Sequence, residues 1–98
     1  MIKVFIVNKS FHDFTAAKQY GEVIYLSEGP MGRYETNNMA RQFELLIKDS
    51  KPEDFIVSCS LNVMNIVATA IFVAKHHRLN LLLWKDGRYI ERSLIFGD

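Results

Sequence analysis

Cysteine is almost missing from this chain of 98 residues: Cys59 stands alone, so no intramolecular disulfide can form, and a reducing cytoplasm is the expected setting. Long apolar runs are missing too. The most apolar stretch, Ile66 to Ala74, is interrupted upstream by Asn62 and Asn65 and downstream by Lys75. That is well short of the roughly 20 residues a membrane-spanning helix needs, so no membrane partner is expected. The N-terminus shows no charged region followed by an apolar run and a small-residue cleavage site. Charge of one sign is also absent, with 12 Lys and Arg against 11 Asp and Glu for a net +1. No global field draws the protein to nucleic acid or anionic lipid. The C-terminal third is mildly basic through Lys75, Arg78, Lys85, Arg88 and Arg92, but nucleic-acid domains cluster charge far more strongly, and nucleic acid is not an expected partner.

The familiar cofactor signatures are lacking as well. Without GxGxxG, GxxxxGK[ST] or HExxH, the dinucleotide, P-loop and zincin readings are lost, and no cofactor is expected. His76 and His77 sit about 100° apart on a helix, a poor arrangement for sharing one metal, so they are better placed to complement the negative end of a helix dipole and no metal is expected.

What is present reads as strands alternating with helices. Val4 to Val7 is a short β-branched and aromatic run, as expected for a strand buried on both faces. Asp13 can cap a short helix running to Tyr20, with Gly21 as the left-handed residue that ends it. Val23 to Leu26 is a second strand. The Gly- and Pro-bearing segment from Ser27 to Arg33 is a loop. From Thr36 to Asp49, Met39, Ala40, Phe43, Leu46 and Ile47 recur at helical spacing and mark an amphipathic helix that Pro52 separates from a third strand at Phe55 to Val57. Leu61 to Lys75 is apolar nearly all round and predicts a helix covered on most sides, with Asn62, Asn65, Thr69 and His76 as its one polar stripe. Asp86-Gly87 between Leu81–Trp84 and Tyr89–Phe96 is a two-residue hairpin signal, so the last two strands are antiparallel neighbours.

The expected whole is one α/β domain over residues 1–98: a small three-layer α/β/α sandwich, Rossmann-like or flavodoxin-like. Its sheet is mostly parallel, in the order 2-1-3-4 with an antiparallel C-terminal edge strand. The alternative has an irregular segment at 14–20 and antiparallel first strands. Ligands of such sheets sit beyond the carboxyl ends of the strands. There the predicted order gathers Asn8, Lys9, Ser10, His12 and Asp13; Ser27, Glu28 and Arg33; Ser58, Cys59, Ser60 and Asn62; and, at the hairpin tip, Lys85 and Arg88. From these, Asn8, Ser10, His12, Arg33, Ser58, Ser60, Asn62, Lys85 and Arg88 form the candidate ligand-binding set. The strand-to-helix passage Ser58–Asn62 offers outward N–H groups for a phosphate or carboxylate, with Ser60 as cap.

Several sharper chemistries can be weighed on particular residues. Cys59 lies where a helix N-terminus would activate a thiol, with His12 on the neighbouring loop. The tyrosine phosphatase pattern, however, requires arginine six positions later, and Asn65 stands there. His12-Asp13 are adjacent and aim apart, so helix capping accounts better for Asp13. Gly29-Pro30-Met31-Gly32 has the GxxG spacing of a KH module but follows a strand instead of joining two helices. Lys3 to Asn8 resembles the first strand of the small viral ring nucleases that degrade cyclic oligoadenylate. That resemblance stops at these residues, because the family's Gly-His-Asp-Ser-Thr stretch is absent.

The expected function is therefore a non-catalytic binding or regulatory domain acting through a protein partner or a nucleotide-like anionic small ligand. The alternative is a small enzyme acting on a nucleotide or phosphoester, centred on Ser10, His12, Arg33, Ser58 and Cys59. Homodimerisation is expected from the surplus of apolar helix surface and from a C-terminal edge strand whose end carries little charge.

Overall fold

The computed structural model describes every residue except Ser10, Phe11, Met31, Ser60, Leu61 and Asp98. Strands β1 (Lys3–Ile6), β2 (Glu22–Tyr25), β3 (Phe55–Val57), β4 (Arg78–Lys85) and β5 (Arg88–Ile95) form one sheet in the order β2-β1-β3-β4-β5. The first four are mutually parallel and β5 runs antiparallel to β4. This is the predicted order, with the antiparallel strand at the predicted edge.

Alternation along the central strands sorts the apolar side chains into two layers. Phe5, Val7, Ile56 and Leu79 point to one face, where α1 (Thr36–Ile47) covers them with Met39, Phe43 and Ile47. On the same face α2 (Asn62–His76) contributes Met64, Ala68 and Phe72. Each trio recurs every fourth residue, the spacing that keeps a helix stripe against a sheet. Phe5, Phe43 and Phe72 are fully buried, and each stabilises the fold by about 1.5–3 kcal/mol relative to exposure. The Gln42 side-chain amide donates to the Leu26 carbonyl at 2.7 Å and ties α1 to the exit of β2.

The opposite face is thinner than a full third layer. Val4, Ile6, Val57, Leu82 and Tyr89 point there, covered by Phe14 and Ala17 of the connection between β1 and β2. That connection is a five-residue 3₁₀ helix, Thr15–Gln19, where an α-helix was expected. So short a segment does not repay the cost of nucleating an α-helix. Asp13 supports its start, accepting hydrogen bonds from the Thr15 backbone N–H at 2.9 Å and from the Thr15 hydroxyl.

Gly21 serves a purpose other than the expected left-handed stop. A Cβ there would lie 2.3 Å from the Ile2 carbonyl oxygen, so only glycine lets the chain turn into β2. Directly beyond it the Glu22 N–H bonds that same carbonyl at 2.9 Å. At the hairpin the expectation holds in detail: Asp86 and Gly87 both have positive φ, 51° and 82°, as a two-residue primed turn demands. Strand β4 begins three residues earlier than predicted, because α2 stops abruptly at His77, whose φ of 57° turns the chain without a glycine.

Candidate functional site

The thin layer has a consequence at the carboxyl ends of the strands. A five-residue 3₁₀ helix cannot span five strands, and beside it the sheet stays open above β3, β4 and the hairpin. The opening is a cleft of about 460 Å³. Its polar rim comes from His12 and Asp13, on the chain leaving β1, and from Ser58, on the chain leaving β3. Cys59, Leu82 and Phe14 extend the lining inward, and Trp84 and Tyr89 contribute from the hairpin.

The aromatic part follows from strand geometry. Leu82 and Trp84 are two residues apart on β4 and so share a face, and the tight turn sets Tyr89 directly opposite Trp84. Their rings meet edge to face, with centroids 4.9 Å apart and planes at 71°. Tyr89 is buried on Tyr20, centroids 6.4 Å apart, whereas Trp84 remains 56% exposed. A large apolar ring held on one side and open on the other is a surface for stacking. Burial also pushes the Tyr89 phenol pKa up, keeping its hydroxyl neutral and able to donate.

Cys59 is fixed rather than poised. The Asn8 backbone N–H donates to its sulfur and its thiol donates to the Asn8 carbonyl, both at 3.3 Å. Desolvation is the largest influence on the thiol and pushes its pKa up, against the smaller opposing effect of the Asn8 and Val7 backbone. A nucleophilic cysteine needs the reverse shift. Asp13 keeps its charge: the Thr15 hydroxyl and then the Thr15 N–H hold its carboxyl below the ordinary range. His12 stands edge-on to Phe14, centroids 6.2 Å apart.

Of the predicted site residues, His12 and Ser58 come together at this cleft. Asn8 is 4% exposed, and its amide nitrogen donates to the Ser27 hydroxyl at 2.8 Å and the Gly29 carbonyl at 3.1 Å. The Ser27 hydroxyl in turn donates to the Val7 carbonyl, so Asn8 clamps two loops beneath the site. Arg33, Asn62, Lys85 and Arg88 are exposed and lie outside the described lining of the cleft. Ser10 and Ser60 fall outside the described residues. Lys9 pairs with Glu28 at 3.8 Å, both largely exposed, a contact worth little in water. At the entry to α2, the Asn65 side-chain oxygen accepts the Cys59 N–H at 3.0 Å. Among the described residues, no cluster of three His, Cys, Asp or Glu is arranged to hold a metal, and no helix is long and apolar enough to cross a membrane.

Phe14, Leu82, Trp84 and Tyr89 carry no polar chemistry that marks them in the sequence; the two-residue turn at Asp86-Gly87, which sets Trp84 opposite Tyr89, is the one signal that could have pointed to them. The other polar cluster lies at the amino ends of the strands. There Ser50 and His76 share a 2.7 Å hydrogen bond, and the His76 ring packs on Phe72 at 4.6 Å. Desolvation first, then the charge of Lys75, lowers the His76 pKa, against weaker opposing effects of Asp54 and Glu53. The fold therefore favours neutral His76. Its contribution is complete above the unfolded pKa of about 6.5 and is lost as pH falls from there through the depressed folded value. Melting curves from pH 7.5 to pH 5 should show a decline in the wild type that is smaller in His76→Gln; parallel curves would contradict this assignment.

Taken with its site, the fold defines a small α/β domain, with a mostly parallel mixed sheet and an aromatic cleft at the carboxyl ends of its strands. Residues 2–94 match the family described as phage Pam3 gp32-like protein, and the chain belongs to that family. No curated protein and no solved structure matches it.

Proposed function

We propose that the chain is a non-catalytic binding domain whose cleft receives a flat, uncharged ring, carried either by a small ligand or by an aromatic side chain of a partner protein. The observation that carries this reading is the contact of a half-exposed Trp84 with a buried Tyr89, side by side in the lining of a cleft of about 460 Å³. Clefts of a few hundred Å³ with apolar walls and a few polar groups are the usual form of small-ligand sites. His12, Asp13 and Ser58 supply hydrogen-bonding groups at the rim, and Cys59 is part of the lining.

An anionic ligand has less support than a neutral one. Asp13 puts a carboxylate at the rim, and no Lys or Arg belongs to the described lining. The enzymatic alternative, turnover of a nucleotide or phosphoester at the same strand ends, is weakened by the protonated, hydrogen-bonded Cys59. We read the architecture as flavodoxin-like within the broader Rossmann-like class, since the order 2-1-3-4-5 is shared; the antiparallel edge strand and the 3₁₀ first connection are its departures. A reducing cytoplasm suits its lone thiol.

Trp84 is the only tryptophan, so its fluorescence reports directly on the cleft. Titration with neutral heteroaromatics such as free nucleobases and indole should change that emission saturably, and Tyr89→Ala should weaken the response by about tenfold. Inorganic phosphate should leave it unchanged. A response to phosphate alone, or to none of the aromatic probes, would overturn the reading.

A further inference from the structure

The edge of the sheet carries a pattern independent of the cleft. Phe96 N–H bonds the His77 carbonyl at 2.8 Å, continuing the ladder in which even-numbered residues of β5 face β4. By alternation, Tyr89, Glu91, Ser93 and Ile95 turn their backbone N–H and C=O groups to the outer edge. The Tyr89 carbonyl already accepts the Tyr20 hydroxyl at 3.3 Å, which closes the hairpin end of that edge. Glu91, Ser93 and Ile95 remain as a strand-length row. Around them Leu94, Ile95 and Phe96 are 48%, 78% and 43% exposed. An edge of this length with so little charge at its end is a template for another strand.

We propose that this edge pairs with β5 of a second copy of the chain, antiparallel about a two-fold axis at Ser93, giving a continuous ten-stranded sheet. The charge pattern selects the register. A perpendicular two-fold axis sets each residue opposite one on the same face, so the centre of the pairing must fall on a residue. Centred on Glu91 it would oppose two glutamates, and centred on Arg92 two arginines, both destabilising. Centred on Ser93 it opposes serine to serine, Glu91 to Ile95, Arg92 to Leu94 and Ile90 to Phe96. Glu91, Ser93 and Ile95 then exchange all their outer backbone bonds, while the Tyr20 to Tyr89 bond is kept. Moving the centre to Leu94 removes Glu91 from pairing within the strand. One guard is displaced: the Arg92 guanidinium donates to the Glu91 carbonyl at 2.7 Å, an exposed contact exchanged for the N–H of Ile95 in the other copy.

Ile95 tests both the surface and the register. Light scattering at micromolar concentration should give the wild type twice the chain mass of 11.4 kDa. Ile95→Glu would face Glu91 twice across the axis and should weaken association by roughly tenfold or more. Ile95→Lys would face the same Glu91 with opposite charge and should keep the dimer. Ile95 is largely exposed, so both variants should show the wild-type circular dichroism. A wild type of one chain mass overturns the proposal. So does any result in which the glutamate and lysine variants behave alike.

Discussion

Asp54→Ala should lower the stability of the domain by about 3–4 kcal/mol, measured by urea unfolding, with the cleft unchanged in the molecules that remain folded. Asp54 is 1% exposed, and its two carboxylate oxygens accept the Lys3 N–H at 2.9 Å and the Lys51 N–H at 2.8 Å. Hydrogen bonds to a charged acceptor contribute about 1.5–3 kcal/mol each, and truncation leaves both donors without it. The Asn80 amide holds the same turn by donating to the Asp54 carbonyl at 2.9 Å and to the Pro52 carbonyl at 2.6 Å. Against a total of roughly 5–15 kcal/mol for a domain, the loss is large. Asp54→Asn should fall between, because one amide oxygen still accepts while the new NH₂ opposes a backbone N–H. Equal stability of wild type and Asp54→Ala would show that the turn is held by Asn80 alone.

Alkylation of Cys59 gives the second large effect. In the folded protein iodoacetamide should react at least about tenfold more slowly than with the urea-unfolded chain at the same pH, because the reactive species is the thiolate. The thiol is engaged by both backbone groups of Asn8, and burial disfavours its ionisation. Folded-state labelling as fast as in urea would contradict this account of Cys59, and labelling faster than in urea would place an activated nucleophile at the cleft and restore the enzymatic reading.

Much of the architecture was legible because it depends on local signals. The β1 run, the loop from Ser27, the Met39-Phe43-Ile47 stripe and the Asp86-Gly87 turn each state their conformation within a few residues, and alternating elements imply parallel crossovers. The thin layer was harder to foresee. The segment 14–20 has the composition of a helix, but its length and the close approach of Gly21 to Ile2 leave room for only a 3₁₀ turn. His77 shows the same limit from the other side: a left-handed residue usually announces itself as glycine or asparagine, and here only tertiary packing reveals it.

The site divides along similar lines. His12 and Ser58 could be placed from topology alone, since strand ends converge whatever the side chains do. Asn8 looked like a ligand-facing residue until its partners were known, and an amide in a turn carries no sequence mark of whether it faces out or clamps a loop. The Lys3–Asp54 bond and the Ser50–His76 pair join residues brought together by tertiary folding, invisible to spacing.

Amide chemical-shift mapping with a neutral heteroaromatic fragment, run alongside an assay for hydrolysis of nucleotides and phosphoesters, tests the binding-domain account most directly. Shifts should concentrate on residues 12–14, 57–59, 82–84 and 89, with the Trp84 indole N–H among the largest, and the chain should turn over none of the substrates. Shifts confined to the loop at Arg33 or to the α1 and α2 face, or turnover abolished by His12→Ala, would contradict it.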